Sequence, residues 1–138
     1  MTFKYLPHTA DKKIHVVAKD LATAFGEAAL AVYNIMVDIN SIKPKEKGIF
    51  EIESESKNSL LYDFIDEIIF AIDTRGFIGC KVEHIKIDKI DDTYQLRAVF
   101  VGDNYSNYDT HGDVKAMTYN EMEIKEDNEI ELTFVVDV

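Results

Sequence analysis

Carboxylates are the groups with which this sequence could do chemistry. Asp11 ends a polar turn, His8-Thr9-Ala10-Asp11, set just before an alternating apolar run, and Asp137-Val138 ends another such run. Val138, the last residue of the sequence, is expected to add an α-carboxylate that is ionised at neutral pH. If the two runs are antiparallel neighbours, the start of one meets the end of the other. Asp11, Asp137 and the Val138 carboxylate then gather about three negative charges within a few ångströms, a repulsion that a bound cation relieves. An oxygen-only set favours Ca²⁺, with Mg²⁺ or Mn²⁺ as alternatives. Turn aspartates and charged termini are also routine, so spacing alone leaves both a metal site and an ordinary surface turn open.

The densest acidic cluster is a different one. Asp63, Asp66 and Glu67 stand at i, i+3 and i+4, and Asp73 follows two turns on. Helical spacing projects the first three from one side. They form either a site for a hard cation or the solvated face of an amphipathic helix. The stretch from Asp103 to Asp109 looks like a calcium loop but has Tyr108 where Gly is needed and Val114 where the closing Glu belongs. It reads as a polar surface loop.

Other chemistries find little support. Cys80 follows Gly79, and none of the His residues (8, 15, 84 and 111) forms a recognisable pair with it, so it reads as a small hydrophobe. Closed zinc spacing and a glycine-rich phosphate loop are absent. His84 reads as an ordinary polar residue on a strand face.

The elements that must position these groups follow from periodicity. Phe3, Tyr5 and Leu6 suggest a short strand stopped by Pro7, and Ile14, Val16 and Ala18 alternate as a half-buried strand. Asp20 is the expected N-cap of a helix through Leu21, Phe25, Ala28, Val32 and Met36, running to about Val37. Ile49, Phe50 and Ile52 mark a strand of about six residues. A second helix runs through Leu60, Phe64, Ile68 and Ile72, with Gly76 at its left-handed stop. Then come strands around 82–87 and 95–100 with Asp91-Asp92 between them, and an irregular polar stretch over 101–112. A closing hairpin pairs 114–124 with 130–136 and turns at Asp127-Asn128. Two strands, helix, strand, helix and four strands suit an α+β fold: a mainly antiparallel β-sheet with two helices packed on it, residues 1–138 forming a single domain.

Composition bounds the function. With 15 Lys+Arg against 26 Asp+Glu, the 138-residue chain carries a formal charge of −11, so it should repel phosphate backbones, and direct nucleic-acid binding is not expected. Basic protein faces and cations are the expected partners. The 46% apolar content argues for a packed core rather than disorder. A single cysteine implies no internal disulfide, the opening residues lack a signal-peptide pattern, and no stretch is long and apolar enough to span a membrane. A cytoplasmic protein is the expectation.

Several blocks resemble the archease family. They are His8-Thr9-Ala10-Asp11 after Tyr5-Leu6; an Ala-rich helix to Met36; Leu60-Leu61-Tyr62-Asp63-Phe64-Ile65-Asp66-Glu67 leading to Asp73-Thr74-Arg75-Gly76; Lys115-Ala116-Met117-Thr118-Tyr119-Asn120-Glu121-Met122; and Val135-Val136-Asp137-Val138. The likeness keeps order and spacing over essentially the whole chain. It departs at Asn120, where the family often has His after the Thr-Tyr pair. The resemblance implies a protein cofactor of the tRNA-splicing RNA ligase, which joins tRNA halves after intron removal. Such a cofactor promotes guanylylation and multiple turnover of the ligase and is not itself an enzyme. The family's metal ligands fall on Asp11, Asp137 and Val138, and Lys115 matches a functional position, though a solvent-facing strand lysine is its simpler reading. His8, Asp63 and Glu67 are further candidates for facing the partner.

Two rival functions use the same residues. One is a small metal-dependent phosphoester hydrolase with Asp63 and Glu67 as an auxiliary pair, although no convincing base or nucleophile accompanies the ligands. The other is a chaperone-like protein-binding module, which accounts for the acidity but gives a terminal carboxylate no task.

Overall fold

The frame is set by two strands whose inner faces match. In a computed structural model that describes residues 2–7 and 11–138, β1 (Thr2–Leu6) and β2 (Asp11–Ala18) form an antiparallel pair. On its other side β2 pairs antiparallel with β8 (Ile130–Asp137). Ile14, Val16 and Ala18 face Phe134, Leu132 and Ile130 respectively, and all six are buried. Alternation sends Asp11, Lys13, His15 and Val17 to the opposite face.

Helix α1 (Leu21–Met36) packs on β2. Asp20 caps it, accepting a 2.8 Å hydrogen bond from the Thr23 N–H. Strand β3 (Glu46–Ser54) leads into α2 (Lys57–Arg75), which opens with a reciprocal Ser56–Ser59 capping box. It closes at Gly76, whose φ of +71° is the left-handed conformation that glycine adopts without steric cost. Strands β4 (Phe77–Ile90) and β5 (Thr93–Asn104) then make a long hairpin, and the second sheet runs β3-β5-β4. Phe25, Phe50, Phe64, Phe100 and Tyr33 form the aromatic centre of the core, with ring centroids 5.8–6.4 Å apart. Two helices on antiparallel strands give the α+β class that the sequence implies.

The strands depart from expectation in four places. They form two sheets rather than one, a five-stranded and a three-stranded one. β4 begins at Phe77, well before residue 82, because register irregularities between Gly79/Lys81 and Val82/His84 shift the phase of its alternation. Its partner β5 continues through Gly102 to Asn104, so the stretch over 101–112 is not irregular throughout. A Cβ at Gly102 would lie 1.9 Å from the Ile78 carbonyl oxygen, so only glycine lets the strands approach there.

The fourth departure is the segment 114–124, expected as one strand. It breaks into β6 (Ala116–Met117) and β7 (Glu123–Glu126), both antiparallel on the same strand, β8. β6 stops opposite Val136 and β7 starts opposite Thr133, so residues 118–122 loop out against only residues 134 and 135 of β8. Within that loop the Thr118 hydroxyl donates to the Val135 carbonyl at 2.9 Å and accepts from the Asn120 N–H at 3.2 Å, replacing ladder bonds with side-chain ones. Glu121 turns the chain with φ +53°.

Candidate functional site

The carboxylates expected to bind metal lie at one end of the β2–β8 ladder. Asp11 is directly opposite Asp137, and both are half-buried. Opposed residues of an antiparallel pair project from the same face, with Cβ atoms about 5 Å apart. β8 has neighbours on both edges here, so Asp137 also faces Ala116 across the other ladder. The Lys115 N–H donates to the Asp137 carbonyl at 2.8 Å. Asp137 is therefore held by main-chain pairing on two sides, which fixes the origin of its side chain. Val138 is half-buried, packs against the core and lines a cavity with Tyr5, Lys12, Asn34 and His111. The segment before β6 is anchored to the end of α1, where the His111 N–H donates to the Met36 carbonyl at 2.9 Å.

The donor chemistry fits a hard cation. Two opposed, half-exposed carboxylates offer oxygens alone. Among the described residues no three His, Cys, Asp or Glu side chains are gathered as a metal cage. A cation here would take its further oxygens from the main chain of Val138, from water or from a partner. His8 falls outside the described residues.

The acidic helix face lies elsewhere. Asp66, Glu67 and Asp73 are exposed on α2 and line a shallow depression with Ile69, Phe70 and Lys115. Lys115 thus links the two regions, its main chain bonded to Asp137 and its side chain set against α2. Asp63 lies close to Tyr119, whose phenol is pushed up by burial and by that carboxylate's charge. Spacing gave no role to Tyr62 and Tyr119, yet their rings stack at 4.3 Å with an interplanar angle of 10°. The two residues are 57 positions apart, and helical or strand periodicity reports only near neighbours.

The remaining candidates resolve as structural groups. Asp103 is only 2% exposed, and its carboxylate accepts from the Tyr108 hydroxyl, the Asn104 N–H and the Asn107 amide at 2.8, 2.8 and 3.1 Å. The calcium-like loop therefore satisfies its own carboxylate, and the Tyr108 hydrogen bond holds Asp103 below the usual carboxyl range. Cys80 is half-buried and free. Burial pushes its thiol up, and the thiol donates to the Val101 carbonyl at 3.4 Å. A thiol held protonated is a poor nucleophile. The His15 ring lies 3.1 Å from the Thr133 hydroxyl on the same sheet face as Asp11. No helix among the described residues is long and apolar enough to cross a membrane.

Comparison with known proteins supplies the context for this geometry. The family model of the Archease protein family matches residues 3–138. The chain belongs to the archease family. Relatives named Protein archease include one from Methanothermobacter thermautotrophicus, 34% identical over 138 residues, covering 99% of this chain and 98% of that one. One from Thermococcus gammatolerans is 31% identical over 125 residues, with 89% and 87% covered. One from Danio rerio is 32% identical over 139 residues, with 99% and 85% covered. The solution structure of Methanobacterium thermoautotrophicum Protein 1598 superposes with a TM-score of 0.85 at 34% identity, covering 99% and 98% of the two chains. The archease blocks Lys115–Met122 and Val135–Val138 fall, in the structure, on adjoining segments, β6 with its loop and the end of β8.

Proposed function

We propose that this chain is a non-enzymatic activator of the tRNA-splicing RNA ligase, promoting its guanylylation and multiple turnover. A divalent cation, Ca²⁺ in preference to Mg²⁺ or Mn²⁺, is held by Asp11, Asp137 and Val138 in this reading. The observation that carries it is archease membership across residues 3–138. The opposed Asp11–Asp137 pair supports it independently, because it sets two hard oxygen donors side by side on adjoining strands. When bound, such a cation supplies a Lewis-acidic centre able to take phosphate oxygens from a partner's active site.

The chain's own residues set the stage for that contact. Pairing to β2 and to the Lys115–Met117 segment holds the Asp137 backbone, so its carboxylate starts from a fixed position. A two-carboxylate shell leaves coordination sites for partner oxygens. The formal charge of −11 favours encounter with a ligase surface built basic to hold RNA.

The test is a ligation assay with purified ligase, GTP, divalent metal and RNA halves under multiple-turnover conditions. Wild type should stimulate, and Asp11→Ala should not while still unfolding in one cooperative transition. Full stimulation by Asp11→Ala refutes the metal role, and none by wild type refutes the activator reading. Phosphoester turnover by the isolated protein would favour the hydrolase instead. The structure gives that alternative no help, since Asp63 and Glu67 do not join Asp11 and Asp137 in one cluster.

A further inference from the structure

Several charges on this surface are paired. Lys13 pairs with Glu121, Lys47 with Glu83, Lys57 with Glu126, Lys86 with Asp88 and Arg97 with Glu51. The outer face of α2 is different. Among the described residues, Asp63, Asp66, Glu67 and Asp73 make no ion pair with any Lys or Arg, and Lys115 is the one cation lining the depression beside them. Aromatic rings stand in the middle of these carboxylates. Phe70 is 59% exposed, and Tyr119 is 56% exposed while stacked on Tyr62. Tyr62, Asp66, Phe70 and Asp73 recur at helical spacing, so they form one stripe alongside the segment from Lys115 to Tyr119.

A solvated helix face has no use for exposed rings, and an apolar patch meant for an aliphatic groove has no use for a rim of unmatched carboxylates. Exposed aromatics at the centre with charge around them is the composition of an interface hot spot and its rim. The sign of the rim selects a cationic partner. The planar rings narrow the choice to arginine, whose guanidinium stacks on an aromatic face while its N–H groups reach a carboxylate, where the lysine ammonium cannot match the plane. Tyr119 stacks on Tyr62 with one face and is still 56% exposed to such a group.

We infer that the face formed by Tyr62, Asp66, Glu67 and Phe70 of α2, together with Tyr119, is a docking surface for an arginine-bearing protein face. This rests on the activator reading above, with the ligase as the protein that carries those arginines. Lys115, shared between this face and Asp137, keeps the docked partner beside the Asp11–Asp137 pair.

Binding of full-length variants to immobilised ligase, by biolayer interferometry at low and high salt, tests it. Phe70→Ala with Tyr119→Ala should weaken binding about ten- to a hundred-fold, mostly through faster dissociation. Asp66→Asn with Glu67→Gln, which removes charge but little volume, should weaken binding about five- to ten-fold at low salt and flatten the salt dependence. Glu51→Gln, on the three-stranded sheet, should bind like wild type. Wild-type binding with both double variants unaffected overturns this inference and leaves the activator reading standing. No binding by wild type overturns both. If the aromatic double variant melts early, the charge variant alone decides the matter.

Discussion

Asp137→Asn separates the metal-binding account from a merely structural one, because the two states of the site respond to it in opposite directions. Asp137 faces Asp11 directly across the ladder, and both are half-exposed. Like charges about 5 Å apart at high dielectric repel by about 1 kcal/mol. Asn keeps the volume, and the Asp137 main chain still accepts the Lys115 N–H at 2.8 Å. In EDTA the variant should therefore be more stable than wild type by about 1 kcal/mol, roughly 3–4 °C in Tm for a chain of this length. Bound metal reverses the order. At a hundred-fold excess of Ca²⁺ over its Kd, wild type gains about 2.7 kcal/mol, roughly 8–10 °C, while the variant gains little. Thermal melts followed by circular dichroism, in EDTA and across a Ca²⁺ titration, should show the two curves crossing. Equal Ca²⁺ shifts in both proteins, or none in wild type up to millimolar metal, would refute the metal site. A variant markedly less stable than wild type in EDTA would refute the repulsion argument.

Other perturbations probe the scaffold. Gly76→Ala places a Cβ 2.7 Å from the Asn104 amide nitrogen at φ +71° and should lower stability by about 1–2 kcal/mol, read as a lower urea midpoint with unchanged m-value. Ser56→Ala removes the acceptor of the Ser59 N–H at the start of α2 and should cost about 1 kcal/mol in the same assay. Asp103, held below the ordinary carboxyl range by the Tyr108 hydroxyl, contributes stability that is complete above the unfolded carboxyl pKa near 4 and disappears as pH falls through the lower folded value. Urea unfolding of Tyr108→Phe from pH 7 to pH 2 should thus show a deficit against wild type that narrows at the acid end.

Much of the scaffold was legible because its signals are local. Asp20 before an apolar 3.6-residue rhythm, and Gly76 after another, mark helix ends that the structure reproduces at Leu21–Met36 and Lys57–Arg75. The strands β2, β5 and β8 follow from period-two alternation, whereas the pairing of β2 with β8 was only a condition of the site argument. What stayed hidden depends on distant partners. The break in 114–124 arises because β8 leaves only residues 134 and 135 for five residues of its neighbour, a mismatch that exists only once both strands are docked. The missed start of β4 arises from bulges that shift its phase. Asp103 looked like a loop residue because its place on β5 opposite Ile78 depends on β4, although the Tyr108 and Asn107 that bond its carboxylate stand only five and four positions on. The stack of Tyr62 on Tyr119 joins elements that no window of sequence contains.

The juxtaposition of Asp11 with Asp137 is itself a consequence of the core. Nothing about two aspartates draws them together; their charges oppose it. The register that pairs them is chosen further along, where Ile14 meets Phe134, Val16 meets Leu132 and Ala18 meets Ile130. A slip of one residue would turn one strand's apolar set to the wrong face, forfeiting about 1.5–3 kcal/mol for each large side chain exposed. Against several such terms, the roughly 1 kcal/mol of carboxylate repulsion cannot move the strand. Burial energy from the interior is thus converted into a fixed pair of like charges at the surface. A pair whose main chain is already held favours a cation more than carboxylates on a flexible loop could, since no backbone ordering entropy remains to be lost when the ion arrives.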